Sequence, residues 1–280
     1  MITRLVGALL RAILVVMLIA TPALLLPGLS TDVTQIVALV SIFAAALTIF
    51  EYASVYPGLV EFRNAPPFNR LRFFALFTTV FLAALVVRGE TDPTSFNQMV
   101  TQFGKGIGQA IDFPYSPVRQ IVLLLPDHVG YDHVERVRTT AGISYFVSML
   151  ALALFYFFVR VRNWPMNNGP FNVWINMPTF DPTSGGDVVQ RLERDARFNI
   201  IVGFTLPFFI PALLKASESV FGQVTLDNPQ SMIWIVAAWA FLPASLLMRG
   251  LAMGRIAELV ERKRQSASRA QQKAMQPEPA

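Results

Sequence analysis

The chain has 280 residues, 54% of them hydrophobic and only 15% charged, with a net charge of +5 and a mean hydropathy of +0.48. A soluble domain carries about 25% charged residues, so this composition specifies an integral membrane protein. Cys is absent, which excludes disulfides, thiolate metal sites, iron–sulfur clusters and Cys nucleophiles.

A membrane-crossing helix needs ~20 mainly apolar residues, because the hydrocarbon core is ~30 Å thick and each residue rises ~1.5 Å. In chain order the expected spans are residues 5–26, interrupted by Arg11, and 33–50, closed by Glu51. The third, 73–87, is short and flanked by Arg70, Arg72 and Arg88, whose long side chains can snorkel to the interface. The fourth is 139–159, the fifth 198–214 and the sixth 231–248. The first segment also has features of a signal peptide, with Arg4 ahead of an apolar stretch and small Ala20 and Ala23. Its apolar stretch is longer than a typical h-region and Pro22 falls within the cleavage site, so an uncleaved anchor is expected.

Positive charge orients such spans. With the N-terminus inside, the inner segments hold 17 Lys and Arg and the outer segments 6, while acidic residues divide 9 and 9. Both termini are therefore expected in the cytoplasm. The basic residues are spread over four inner segments, so the net charge calls for no nucleic-acid partner. The chain then divides into three spans over 1–87, an outer loop 88–138, a fourth span 139–159, an inner loop 160–197, two spans over 198–248, and a helical tail 249–280. The tail carries the basic stretch Arg262, Lys263 and Arg264 and closes on a frayed QPEPA. The halves show no inverted repeat, because the loop after the first span is about six residues long and its counterpart nearly forty.

Within the outer loop, Phe96, Met99, Val100, Phe103, Ile107 and Ile111 recur at helical spacing. Thr94 or Ser95 would cap this helix. A second short segment, 116–125, carries the apolar stretch 121–125. Two readings stay open: amphipathic segments lying on the outer membrane face, or a small outer domain packed on itself. The stretch FGKGIGQA resembles a glycine-rich phosphate cradle in composition but lacks P-loop spacing and no strand precedes it. Gly104 and Gly108, four apart, instead form a flat helix face for close packing against a second helix. In the inner loop, Trp164, Phe171, Trp174 and Phe180 lie among Pro165, Pro170, Pro178 and Pro182, a composition suited to a membrane interface or a partner. Residues 187–197 form a short charged helix, with Asp187 and Arg191, Arg191 and Asp195, and Glu193 and Arg197 each four apart.

Two constellations invite chemistry. Asp127, His128, Asp132 and His133 have donors suited to Zn²⁺, but histidines five apart face ~140° away from each other on a helix. The alternative is a set of polar loop residues, with Asp132 as a helix cap. Arg11 and Glu51 reach a similar depth in adjacent spans. They are expected to pair, the alternative being separate snorkelling. The spans themselves offer neither a His pair for haem nor a carboxylate relay.

The sequence thus predicts an all-α, polytopic membrane bundle of about six transmembrane helices with amphipathic outer segments. Its expected role is that of an accessory, assembly or scaffold protein of the bacterial inner membrane, without catalytic chemistry or cofactor. Its expected partners are membrane lipid and another membrane protein or itself. A transporter or channel component is one alternative, suggested by Pro207, Pro211 and Pro243 in the last two spans. A membrane-embedded enzyme using Asp181, Asp187 or the outer histidines is the other.

Overall fold

A computed structural model describes residues 2–166, 171–181, 183, 185–218, 222 and 226–275. Pro170 and Pro182 of the inner loop and the closing QPEPA lie outside the described residues. Nine helices occur among the described residues, with no strand: α1 (Ile2–Leu25), α2 (Thr31–Ala53), α3 (Phe68–Thr91), α4 (Ser95–Ile111), α5 (Pro117–Val122), α6 (Tyr131–Val161), α7 (Val173–Asn176), α8 (Val188–Ala216) and α9 (Pro229–Met275). Six of them, α1, α2, α3, α6, α8 and α9, are long and apolar enough to cross a membrane.

The helices outrun their apolar stretches. Lipid sets how long the apolar part must be, whereas hydrogen bonding lets a helix continue through polar flanks until a cap stops it. Thus α3 takes in Arg70, Arg72 and Arg88 and becomes 24 residues long. The charged segment 187–197 is not a separate helix. Asp187 accepts a hydrogen bond from the Val189 N–H as the N-cap, and α8 then runs unbroken for 29 residues. α6 begins at Tyr131, capped by Gly130 rather than by Asp132, so His133 sits in its first turn.

The starts of α1, α3 and α8 and the ends of α2, α6 and α9 share one end of the bundle, called here the basic end. α8 and α9 pack along each other, and α9 also lies on α6 and α3. Their close approach falls at two glycines. A Cβ on Gly203 would sit 2.8 Å from the Pro243 carbonyl oxygen, and one on Gly250 2.9 Å from that of Ala196. The main core joins Trp239, Val236 and Ile233 of α9 to Val80 and Ala84 of α3 and Ala141 of α6. Pro211 has no N–H, so the Pro207 carbonyl in the preceding turn of α8 lacks its helical donor. The buried Trp239 indole N–H fills that role at 2.9 Å. By contrast, α2 packs on α1 alone, and only 6% of its apolar window is buried.

The two outer segments form part of the packed body. Val118 and Ile121 of α5 and the following Leu124 are fully buried in the main core. On α4, the face that packs carries Asn97, Val100, Gly104 and Gly108, whereas Phe96, Met99 and Phe103 remain exposed. The apolar periodicity therefore marked the outward stripe. The small residues marked the contact, because backbone approach needs the absence of a side chain rather than the presence of one. α6 meets this face with its own glycine: a Cβ on Gly142 would lie 2.5 Å from the Gly108 Cα, and one on Gly108 would lie 2.9 Å from the Arg138 carbonyl oxygen. Charge closes the same junction. Arg138 donates to Asp112 at 2.7 Å and to Glu135, and Arg119 Nε pairs with Asp112 at 2.8 Å without hydrogen-bond alignment.

Candidate functional site

The basic end is organised by two carboxylates near its loops. Glu51, in the last turn of α2, accepts hydrogen bonds from the backbone N–H groups of Gly58, Leu59 and Val60, the shortest at 2.9 Å. Arg63 reaches back from the same loop and donates to the carbonyls of Glu51, Ser54 and Val55 at 2.7–3.0 Å. Charged acceptors and donors make such bonds about twice as strong as neutral ones. They fold the loop onto the end of α2 and bring Glu61 inward.

Glu61 then joins elements distant in sequence. Arg249 of α9 clamps it with Nε at 2.6 Å and Nη2 at 2.8 Å, and the Thr179 hydroxyl donates at 2.6 Å. The third nitrogen of Arg249 donates to Asn199 of α8 at 3.1 Å. Burial raises the Glu61 pKa, but the hydrogen bonds from Arg249 and Thr179 outweigh it and hold the carboxyl below its ordinary value. Beside the clamp, Phe62 adopts φ +52°, a left-handed conformation unusual for an aromatic residue. Its N–H donates to the Asn176 carbonyl at 2.6 Å, and its ring packs among Phe68, Phe171 and Trp164.

The inner-loop aromatics are therefore not an interface belt. Trp164 is 2% exposed, packs edge-on against Phe155 and donates its indole N–H to the Ala65 carbonyl at 3.0 Å. Phe180 is buried as well, beneath the Arg191 guanidinium, and only Trp174 is largely exposed. Pro165 and Pro178 interrupt regular helix here, and the Trp164 and Phe180 rings fill space between loops and helix ends.

The expected pair of Arg11 and Glu51 is not formed. Glu51 is occupied by the loop N–H groups, whereas Arg11 donates to the Gly7 carbonyl at 2.7 Å and lies 4.7 Å from the centre of the Tyr52 ring. Backbone donors seven to nine residues away reach the carboxylate directly, so it needs no cation from the neighbouring helix. Tyr52, one residue further on, presents the face that Arg11 covers. At the opposite end, Asp127, His128 and Asp132 are exposed, and His133 lies 3.7 Å from Asp227. Among the described residues no group of three or more His, Asp and Glu side chains is placed to hold a metal ion. Asp181 accepts from the N–H and hydroxyl of Thr183, and Asp187 is bound to Arg264 at 2.7 Å.

Between the α1–α2 hairpin and the wall formed by α3, α8 and α9 lies a cavity of about 980 Å³. Its floor is polar, with Arg11, Glu61, Arg70, Arg72 and Arg249 near the loops. Its upper wall is apolar and includes Leu14, Phe74 and Leu242, all substantially exposed on spanning helices. The space is thus open toward the surface that the helices present to lipid. Residue spacing gives no sign of it, because its wall draws on five helices and the loop after α2, from Leu10 to Arg249.

The helical architecture, the six spans and this cleft define a polytopic α-helical membrane protein. Comparison of the chain with protein-family models, curated proteins and solved structures finds no match.

Proposed function

We propose that the protein is a non-catalytic accessory component of a bacterial inner membrane that holds an amphiphilic ligand in the cleft between its α1–α2 hairpin and its body. The carrying observation is the cavity itself: a ligand-sized space, at the upper end of the usual 300–1,000 Å³ range, with a cationic floor and an apolar wall open to the membrane. The saturation of Glu61 by Arg249 and Thr179 supports a holding role over acid–base chemistry, since a general base needs an acceptor within reach of the substrate proton. The glycine face of α4 and most of the inner-loop aromatics are used within the chain, which moves the weight of the accessory role from those segments to the cleft. A carrier that moves such a ligand is the second reading, favoured by the position of Pro207 and Pro243 next to the cleft residues Leu206 and Leu242. The distribution of 17 basic residues at the basic end and 6 at the other supports cytoplasmic termini. Reporters fused at the C-terminus and after truncation at Gln109 are expected to report opposite sides of the membrane; agreement between them contradicts the orientation.

The test of the holding role is compositional. Protein purified in a gentle detergent should carry about one amphiphile per chain through repeated exchange, and Leu242→Trp, which fills the apolar wall from an exposed position, should remove it. Equal retention by the variant sinks the reading.

A further inference from the structure

The cleft floor has more positive charge than it uses. Arg63 lines the cleft together with Arg11, Arg70, Arg72 and Arg249; of these five guanidinium groups, Arg249 is committed to Glu61 and Asn199, and Arg63 to backbone carbonyls. The only carboxylate on the wall, Glu61, is already clamped. The other three, Arg11, Arg70 and Arg72, form no ion pair among the described residues, although the clamped Glu61 still acts on Arg72 through its charge. Arg70 is exposed and makes no hydrogen bond or ion pair among the described residues. Arg11 has one carbonyl and the Tyr52 side chain, through its ring face and its hydroxyl. Arg72 makes a single long contact of 3.4 Å to Asn69, lies 5.2 Å from the Phe68 ring centre, and keeps its Nε buried without an acceptor. A buried donor without a partner is costly, and a bound anion supplying oxygens would relieve that cost.

Resting on the reading that the cleft holds an amphiphile, we infer that its ligand is an anionic glycerophospholipid, with its phosphate among Arg11, Arg70 and Arg72 and an acyl chain along Leu14, Phe74 and Leu242. The three arginines come from two helices, α1 and α3, that pack on each other and both line the cleft. Arginine forks match phosphate oxygens in pairs. A zwitterionic headgroup brings an ammonium into the same unbalanced positive field and is disfavoured. The apolar wall begins directly above the arginines: Phe73 and Phe74 follow Arg72, and Leu14 lies one turn above Arg11 on α1. The headgroup and chain sites are therefore continuous, which sets a lipid apart from a free phosphate.

Native mass spectrometry of the full chain in detergent micelles tests this, with dioleoyl phosphatidylglycerol, dioleoyl phosphatidylcholine and glycerol 3-phosphate as probes. The expected result is one phosphatidylglycerol per chain, held at least tenfold more tightly than phosphatidylcholine and not displaced by millimolar glycerol 3-phosphate. Arg70→Gln/Arg72→Gln should weaken it at least tenfold. Arg194→Gln/Arg269→Gln, which removes the same charge from the same end away from the cleft, should leave it unchanged. Should the double cleft variant misfold, Arg70→Gln alone, at an exposed and unpaired site, should still weaken binding several-fold. Equal losses in the cleft and control variants, or displacement by glycerol 3-phosphate, overturn the proposal. If both lipids bind equally and both are lost in Leu242→Trp, the anionic assignment fails while the cleft reading survives. If Leu242→Trp changes nothing, both fail.

Discussion

Glu61→Ala is expected to lower the thermal unfolding temperature of the purified protein sharply, at a cost of about 2–4 kcal/mol, somewhat under the value for a fully buried pair because Arg249 keeps some exposure. The variant leaves the partly buried Arg249 guanidinium with only Asn199, and removal of one member of a buried pair strands the other charge. It also releases Thr179, which ties the inner loop to the loop after α2. Arg249→Leu should cost a similar amount. The double change Glu61→Ala/Arg249→Leu should cost clearly less than the sum of the two, because residues in direct contact couple. Strict additivity would mean that the clamp contributes nothing. The same pair sets a pH response. The folded carboxyl is held below its ordinary value, so its contribution is fully present above the unfolded value of about 4.3. It is lost only as pH falls through the lower folded value. Unfolding curves of wild type at pH 6 and pH 8 should therefore show no difference traceable to Glu61, and the gap between wild type and Glu61→Ala should narrow only in stronger acid.

Gly142→Leu should detach α4 from α6. The Gly142 Cβ position already lies against the Gly108 backbone, and backbone cannot move aside as a flexible side-chain end can. Overpacking a close contact costs about 1–3 kcal/mol and sometimes more, and here the whole α4 segment must shift. Limited proteolysis from the opposite end should then cut within residues 92–130 much faster than in wild type. Gly108→Leu should behave alike. Gly106→Leu is the internal control: nothing lies within 4 Å of its Cβ position, and replacing a helical glycine at an open site removes a backbone entropy cost of up to about 1 kcal/mol. If Gly106→Leu and Gly142→Leu prove equally sensitive, the close crossing of α4 and α6 does not exist.

These two sites differ in how far they could be read from sequence. The spans were legible because a lipid-crossing helix must be apolar for about 20 consecutive residues, which is a local property. Gly104 and Gly108 were legible as a packing face, but Gly142, near the start of the fourth apolar span, gave no local cue that it would meet them. Hence the expected second helix could be a partner as readily as the chain's own α6. Glu61 and Arg249 are 188 residues apart, and neither sits in a motif. Their pairing follows only from the closing of six helices into one bundle. Glu51 and Arg11 show the opposite failure. Matched depth made them look like partners, yet the nearby Gly58–Val60 N–H groups satisfied Glu51 first. The inner-loop aromatics, set among prolines, suit a membrane interface or a partner by composition, yet Trp164 and Phe180 are buried. Their burial depends on the loop after α2, which no spacing within 160–197 encodes.

The measurement that bears most directly on the central claim, that the cleft is a ligand site, is cross-linking with a phosphatidylglycerol carrying a photoactivatable group in its acyl chain. After photolysis in vesicles and digestion, labelled peptides should concentrate around Leu14, Phe74 and Leu242, and excess unlabelled phosphatidylglycerol should suppress them. Labelling spread evenly over the lipid-facing helices, including the exposed α2 residues Ile36, Phe43 and Phe50, with no enrichment or competition at the cleft, would contradict the account.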